Sequence, residues 1–262
     1  ISLAGDWKYR IGLSLTGFPP APISPVQSSS YPTVLFNAMV KPWTAFPIKG
    51  VIWYQGEANV GRSEQYEDLF PALITDWRRQ WRSDFPFYFV QLANFMESKE
   101  IQPDSEWAAL REAQTKALKL DQVGMVVTID IGLADDIHPK NKQEVGRRLA
   151  LVALAGSYGK NVSSSAPVFQ NYIIKGNKME LDFGQKQDGF QIKGTTLKGF
   201  TIAGPDRVFY PAEAMVHDGK IILSSTEVPA PLAARYGWAD NPDCNLYGEN
   251  GLPVAPFRTD CW

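Results

Sequence analysis

The sequence predicts an α/β protein in which a parallel sheet is followed by an antiparallel β module. Three short apolar runs, rich in β-branched and aromatic residues, predict buried strands at residues 50–55 (GVIWYQ), 86–91 (PFYFVQ) and 124–130 (GMVVTID). Segments with helical periodicity follow each of them, and strands that alternate with helices are typical of a parallel sheet. After Lys160 the chain changes to short, glycine-punctuated segments, which predict antiparallel hairpins.

The first helix is predicted over residues 63–81 (SEQYEDLFPALITDWRRQW), because the apolar side chains recur at helical spacing along one stripe. Pro71 lies inside this segment and predicts a bend there. Residues 107–120 and 141–154 carry similar patterns and predict the second and third helices. The order of elements from residue 50 to residue 156 is therefore strand, helix, strand, helix, strand, helix.

Three regions are expected along the chain. Residues 1–30 form an N-terminal β segment and connector, because AGDWKYRIGLSL has the texture of the later hairpins and the Pro/Ser-rich stretch after it is typical of a linker. Residues 31–160 hold the α/β region, and residues 161–262 hold a β-rich C-terminal module. The β segments at the two ends of the chain are expected to belong together in space.

Composition argues against several classes of protein. The formal net charge is −2 with no long run of either sign, which argues against a nucleic-acid partner. No uncharged apolar run approaches the roughly 20 residues that span a bilayer, so no membrane helix is predicted. Cys244 and Cys261 permit at most one disulfide, and His138 and His217 lie too far apart in sequence to suggest a metal site. We expect neither a metal nor another cofactor.

Polar side chains follow each predicted strand, at the carboxyl edge where open parallel sheets bind ligands. They are Gln55, Gln91 and Asp130 at the strand ends, with Glu57, Asn59 and Asn94 just beyond. The loop 131–138 leaves the same edge after the third strand. We therefore expect His138 and the segment QGEAN (55–59) to be neighbours.

The segment ADDIHPKNK (134–142) predicts a catalytic base. In a D-x-x-H arrangement a neutral imidazole accepts a hydroxyl proton, while a carboxylate orients the ring and stabilises the imidazolium, as in acyl transfer. Asp135 or Asp136 can supply the carboxylate, and the spacing favours Asp135. Pro139 suits a first helical position, so His138 is expected near a helix N-terminus. The alternative interpretation is a capping segment with a solvated histidine.

The segment QGEAN predicts an oxyanion hole and substrate pocket. In this interpretation the side-chain amide of Gln55 or Asn59 donates to the negative charge that develops on the substrate. Gly56 would let the backbone turn closely around the ligand. The alternative is an ordinary strand-to-helix turn, in which Glu57 serves only as a first-turn charge.

Other polar segments are interpreted as structural. AGSYG (155–159) lacks the first glycine and the preceding strand of a nucleophile elbow, so it predicts a helix C-terminus and disfavours Ser157 as a nucleophile. Ser63 has no elbow either. His217 lies in HDGK, which predicts a hairpin turn. Arg111 in LREAQ is expected to be a surface or interdomain charge.

Several segments together resemble one family of enzymes. They are KGVIWYQGEAN, DWRRQW, LREAQ, DIHPKNKQEVGRRLA and ARYGWADNPDCNLYGENGLPVAPFRTD, in consistent order over almost the whole chain. They resemble the sialate O-acetylesterases (sialic acid-specific 9-O-acetylesterases) of the SGNH hydrolase superfamily. The resemblance implies a flavodoxin-like parallel sheet, here partial, and a metal-free serine esterase that removes O-acetyl groups from sialic acids or related sugars. It assigns the catalytic histidine to His138, the acid to Asp135, and another family block to Gln55, Gly56, Glu57 and Asn59.

The nucleophile block of this family is missing from the sequence. Family members carry the serine in a G-Q-S-N-M-like block, and no such block occurs in these 262 residues. We therefore expect the C-terminal part of a longer esterase, inactive by itself, with an exposed sheet edge that can mediate a homodimer. The alternative is a non-catalytic carbohydrate-binding protein on an esterase scaffold. The resemblance also implies a periplasmic or secreted protein, which would permit a Cys244–Cys261 disulfide.

Overall fold

The computed structural model describes residues 31–184 and 189–262. By its internal contacts the chain divides into two compact units, Ile1–Phe46 and Pro47–Trp262. The expected N-terminal β segment and connector, residues 1–30, lie outside the described residues.

The described part of the first unit is a short helical stretch. One π-helical turn, Phe36–Val40, runs directly into a 3₁₀ turn, Lys41–Trp43. Neither turn buries a side chain. Local hydrogen bonds support the stretch, such as the one from the Asn37 N–H to the Thr33 carbonyl at 2.8 Å.

The second unit begins with the predicted parallel sheet. Its strands are β1 (Val51–Trp53), β2 (Phe87–Val90) and β3 (Val123–Val126), and the helices beside them are α1 (Ser63–Trp81), α2 (Glu106–Lys116) and α3 (Lys142–Gly156). The strands lie in the order β1-β2-β3, and both neighbouring pairs are parallel. The α/β class and the alternation of strands and helices are confirmed. Helix α1 has the predicted bounds and continues through Pro71.

Helices pack on both faces of this sheet. α1 and α2 pack on one face, where Phe70, Leu110 and Phe87 share a buried core. α3 packs on the other face, and a Cβ at Gly124 in β3 would lie 2.7 Å from Cγ1 of Val152. Glycine in the strand therefore lets α3 approach the sheet closely. Because the strands are parallel, the loops that follow them leave from one edge of the sheet.

The C-terminal part of the chain is the predicted antiparallel module. Its strands are β4 (Asn171–Lys175), β5 (Lys178–Asp182), β6 (Phe190–Ile192), β7 (Phe200–Ala203), β8 (Phe209–Pro211), β9 (Glu213–His217), β10 (Lys220–Ser224), β11 (Ala233–Tyr236), β12 (Leu246–Gly248) and β13 (Phe257–Arg258). They form two four-stranded sheets, β4-β5-β10-β9 and β13-β11-β7-β8, and the pair β12-β6. The two larger sheets share one hydrophobic core, to which Leu181, Ile221, Ile202 and Tyr236 contribute.

Local sequence signals set the ends of several elements. The hairpin between β9 and β10 turns at Asp218 and Gly219, whose φ angles are 49° and 73°, a conformation that these two residue types tolerate. His217 lies at this hairpin, as HDGK predicted. Helix α3 ends at Gly156, so the interpretation of AGSYG as a helix C-terminus is confirmed.

Helix α3 starts one residue after the start of the predicted pattern 141–154, but Pro139 lies outside the helix. The helix begins at Lys142, and the side chain of the N-cap residue Asn141 accepts a hydrogen bond from the Glu144 N–H at 3.1 Å. Pro139 is therefore not the first helical residue, because asparagine is among the strongest N-cap residues. His138 consequently lies in a loop, three residues before the N-cap.

Arg111 is not a surface charge. Its side chain is fully buried, and it donates to the carbonyls of Leu92 and Ala93 after β2 and to those of Ala239 and Asp240 in the C-terminal module. The surface alternative of the prediction is wrong. The residue instead joins the α/β region to the β module.

Candidate active site

The loop after β1 carries four of the predicted site residues. Gln55 follows the strand, and a 3₁₀ turn, Glu57–Asn59, completes the loop. Nε2 of Gln55 donates to Oδ1 of Asn59 at 2.7 Å, and Oε1 of Gln55 accepts from the Tyr66 hydroxyl at 3.2 Å. These contacts hold the Gln55 side chain in one orientation. The bond to Asn59 uses one of the two amide hydrogens of Gln55 and leaves the other for a further acceptor.

Gly56 is buried where this loop touches helix α2. A Cβ at this position would lie 3.0 Å from Nε2 of Gln114 and 3.2 Å from Cδ2 of Leu92, which is closer than side chains normally approach. The Gly56 backbone therefore packs closely against the protein interior. Any larger residue would push the loop away from α2 and move Gln55 with it.

Gln114 is a residue that sequence reasoning missed. It is fully buried on α2, where Nε2 donates to the Gln55 carbonyl at 3.2 Å and Oε1 accepts from the Leu92 N–H at 2.9 Å. One side chain therefore ties the loop after β1 to the loop after β2. The available signal was the glutamine of LREAQ, a polar residue in a predicted helix beside Arg111.

The imidazole of His138 is open to solvent, with 87% of the side chain exposed. Its Nδ1 lies 3.8 Å from Oδ1 of Asp136, and the backbone N–H of His138 donates to the same oxygen at 2.9 Å. Asp135 is exposed. The D-x-x-H spacing favours Asp135 as the orienting carboxylate, whereas this geometry favours Asp136, so the sequence and the structure name different residues.

The first half of the histidine loop is fixed to the loop after β2. Oδ1 of Asn94 accepts from the Gly132 N–H at 2.7 Å, and the Met96 N–H donates to the Ala134 carbonyl at 3.0 Å. Asn94 is therefore a positioning residue of the loop, at the edge of the sheet where the sequence predicted a polar side chain.

Two other polar residues of the predicted edge have structural roles. Gln91 is fully buried, and its Nε2 donates to the Arg111 carbonyl and to Oγ1 of Thr115, both at 3.0 Å. The carboxylate of Asp130 forms a bidentate ion pair with Arg148, at 2.6 and 2.9 Å. Neither side chain is available to a substrate, because Gln91 is fully buried and Asp130 is paired with Arg148 inside the protein.

Tyr54 connects the loop after β1 to the chain that follows His138. Nζ of Lys142 lies 4.7 Å from the centre of the Tyr54 ring. Burial, reinforced by the charge of Glu57, raises the pKa of Tyr54 to about 12, so its hydroxyl stays protonated at neutral pH. In the described ranges no hydrogen bond joins His138 to residues 55–59. The expected proximity of His138 to residues 55–59 thus rests on a shared sheet edge and not on a hydrogen bond between them.

No serine hydroxyl in the described part of the chain is hydrogen-bonded to the His138 imidazole. The hydroxyl of Ser157 shares a hydrogen bond of 2.8 Å with that of Tyr88, and Ser63 is the first residue of α1. The described residues therefore supply a candidate base without a nucleophile hydrogen-bonded to it.

Within residues 31–184 and 189–262, no group of three His, Cys, Asp or Glu side chains is arranged to hold a metal ion. Cys244 and Cys261 are both free thiols, so the disulfide that the sequence permits is not formed. Burial raises the pKa of the Cys244 thiol to about 12, which keeps it protonated and poorly nucleophilic at neutral pH.

The parallel sheet, the helices on its two faces and the polar loops at its carboxyl edge define an SGNH-type α/β protein. A family model for the sialic acid-specific acetylesterases, a group of carbohydrate esterases designated SASA, matches residues 22–155. The chain belongs to this family.

Relatives and a solved structure agree with this assignment. Sialate O-acetylesterases from Homo sapiens and Rattus norvegicus are 31% and 30% identical to this chain, over 96% and 90% of its length. The matched regions are 54% and 48% of those proteins, so the chain spans about half the length of these relatives. The crystal structure of a carbohydrate acetylesterase from Xanthomonas citri matches with a TM-score of 0.83 and 46% identity, over 88% of this chain and 55% of that one.

Proposed function

We propose that this chain carries the histidine-bearing half of a serine esterase that removes O-acetyl groups from sialic acid or a related acetylated sugar. The observation that carries the proposal is the solvent-open imidazole of His138, with Nδ1 3.8 Å from a carboxylate oxygen of Asp136. It lies at the carboxyl edge of the sheet in a chain of the acetylesterase family. The names of the relatives support the class of substrate.

In the proposed reaction a serine hydroxyl attacks the acetyl carbonyl while Nε2 of His138 accepts its proton. The aspartate beside the ring orients the imidazole and stabilises the imidazolium. Backbone amides, together with the amide of Gln55, donate to the oxyanion of the tetrahedral intermediate. His138 then returns the proton to the departing sugar hydroxyl, and a water molecule activated by the same imidazole releases acetate from the serine.

The nucleophilic serine is proposed to lie outside these 262 residues. The sequence contains no G-Q-S-N-M-like block, and the relatives are about twice as long as the region they share with this chain. The His138 side chain is 87% exposed, so its ring is accessible to a serine that these residues do not supply.

The proposal is tested with a fluorophosphonate probe, which labels activated serines, followed by intact-mass measurement. The 262-residue chain is compared with a longer polypeptide that also carries the family's serine block. We expect stoichiometric labelling of the longer protein alone. Labelling of the shorter chain would mean that the nucleophile has been misplaced. If neither protein is labelled, the esterase proposal fails and a carbohydrate-binding role is favoured.

We also propose a periplasmic or secreted location, which rests on the family resemblance. No helix of the described residues is long and apolar enough to cross a membrane. Recovery of the protein in the cytoplasmic fraction of its source cells would contradict this proposal.

A homodimer through the edge of the parallel sheet is a further part of the proposal. Within the described residues no strand pairs with the outer edge of β1, and Ile52 in that strand is 67% exposed. An unpaired, apolar strand edge offers its free backbone groups to another chain. A second copy of the chain can satisfy both the hydrogen bonds and the apolar surface.

Replacing Ile52 by lysine is expected to shift the chain from dimer to monomer, because a charged side chain on an edge strand disfavours edge-to-edge pairing. Light scattering coupled to size-exclusion chromatography measures the mass directly. Leu69→Lys on α1 is the control, since Leu69 is 50% exposed but lies on a helix. A monomeric wild-type chain, or a dimer that survives Ile52→Lys, would exclude this interface.

A further inference from the structure

The histidine loop is anchored at its first residues by contacts that lead to the C-terminal β module. Oδ1 of Asn94 accepts from the Gly132 N–H at 2.7 Å, and a Cβ at Gly132 would lie only 1.9 Å from the Asn94 carbonyl oxygen. The loop backbone thus lies directly on Asn94. Any displacement of Asn94 is therefore transmitted to the backbone six residues before His138.

Asn94 is itself held by a residue of the β module. Nδ2 of Asn94 donates to Oδ1 of Asn241 at 2.7 Å, and Nδ2 of Asn241 donates to the Met96 carbonyl at 2.7 Å. The preceding residue is fixed as well, because the Asp240 carbonyl accepts from the Phe95 N–H at 3.2 Å. Asn241 therefore links the β module to the histidine loop through a continuous series of hydrogen bonds.

A second contact from the module reaches the residue just before the loop. The hydroxyl of Tyr247 donates to Oδ2 of Asp130 at 3.2 Å, and Nζ of Lys193 lies 3.6 Å from the centre of the Tyr247 ring. The same carboxylate is paired with Arg148 of α3, which also binds Glu144 near the start of that helix. These contacts therefore fix the segment between β3 and α3 at Asp130, where it begins, and near Glu144, at the start of α3.

We propose that the C-terminal β module positions His138 for proton transfer, with Asn241 and Tyr247 as the positioning residues. This inference rests on the proposed function, because it assumes that His138 is the base of the reaction. Neither residue touches the reacting atoms. Each acts on the loop through one intermediate side chain, Asn94 or Asp130.

The first test uses the 262-residue chain and needs no substrate. The chain has only two histidines, so an NMR spectrum of the imidazole protons contains His138 and an internal reference, His217, which lies at the end of β9. We expect Asn241→Ala to shift the His138 resonances and to speed hydrogen exchange in residues 131–138 at least tenfold. The His217 resonances should not move. Tyr247→Phe should also shift the His138 resonances and speed hydrogen exchange in residues 131–138, but by smaller amounts.

Matched variants separate positioning from general loss of stability. Asn250→Ala removes hydrogen bonds of similar number within the β module, to Ser163 and Ser165, and Tyr88→Phe removes a hydroxyl bonded to Ser157. Both should leave His138 unchanged. Asn241→Asp keeps the acceptor for Asn94 but replaces the donor to the Met96 carbonyl by a carboxylate oxygen, so it should disturb the His138 signals as well. Unchanged His138 signals in Asn241→Ala, or equal changes in Asn250→Ala, would overturn the proposal.

The second test uses the longer polypeptide that carries the serine block. We expect Asn241→Ala to lower kcat about tenfold or more with little change in KM, because a misplaced base affects the transition state more than substrate binding. A wild-type protein without esterase activity would refute the proposed function, whereas the NMR result still decides whether the module positions the loop. A change in KM alone would refute the positioning role.

Discussion

Replacing Arg111 by alanine is expected to destabilise the fold by roughly 4 kcal/mol or more. The guanidinium is fully buried and donates to four carbonyls at 2.7 to 2.9 Å, those of Leu92, Ala93, Ala239 and Asp240. Each buried carbonyl that loses its donor costs about 1 kcal/mol or more, and the truncation also leaves a cavity. The loss should loosen the contact between the α/β region and the β module.

Urea denaturation followed by tryptophan fluorescence measures this change in the free energy of unfolding. Arg111→Met fills most of the same volume without donors, so it separates the hydrogen-bond contribution from the packing contribution. Arg79→Ala is the control, because the Arg79 side chain is 76% exposed and pairs with Asp76 on the helix surface, a contact worth less than about 1 kcal/mol. If Arg111→Ala and Arg79→Ala cost equal amounts, the central role of Arg111 is wrong.

The elements of the fold were predictable because their signals are local. The apolar stripe of residues 63–81 coincides with α1, and the strands lie inside the predicted apolar runs or one residue outside them. Pro139 was wrongly expected as the first residue of α3 because two local signals competed. Pro139 suits the first turn of a helix, but Asn141 provides a side-chain cap, and the structure uses the cap.

The contacts that build the site were not predictable from local pattern. Asn94 and Asn241 meet across 147 positions of sequence, and neither residue carries a pattern that names the other. Arg111 was expected at the surface as one alternative because arginine is rarely buried without a carboxylate. Its partners are backbone carbonyls, which every residue possesses, so no sequence signal marks them.

The site motifs themselves were visible, but their geometry was not. The pattern D-x-x-H identified His138 together with two aspartates, and only the structure shows that Oδ1 of Asp136 is within 4 Å of the ring. Gly56 was expected to let the backbone turn closely around a ligand, whereas the close neighbour that the structure shows is Gln114 of α2. A spacing rule reports which residues share a loop, whereas side-chain direction depends on the contacts that the loop makes.

Replacing His138 by alanine in the longer, serine-bearing polypeptide is expected to lower kcat for acetyl ester hydrolysis by about 10⁴-fold or more. Without the imidazole, no group is positioned to accept the serine proton or to protonate the departing sugar oxygen. KM should change little, because the exposed ring contributes to the transition state and not to ground-state binding. Initial rates on an acetylated sugar, with His217→Ala as the control, measure the effect.

Two further variants test which aspartate orients the imidazole of His138. Asp135→Asn and Asp136→Asn differ by one position, and both keep the size of the side chain. The variant that removes the orienting carboxylate should lower kcat by roughly 10³-fold, because the imidazolium loses its counter-charge. The other variant should lower kcat less than about threefold.

A large loss of kcat for Asp136→Asn alone would support the 3.8 Å contact with Nδ1. A large loss for Asp135→Asn alone would mean that the loop turns Asp135 toward His138 when the serine half is present. Activity that survives His138→Ala and both aspartate variants would remove His138 from the mechanism.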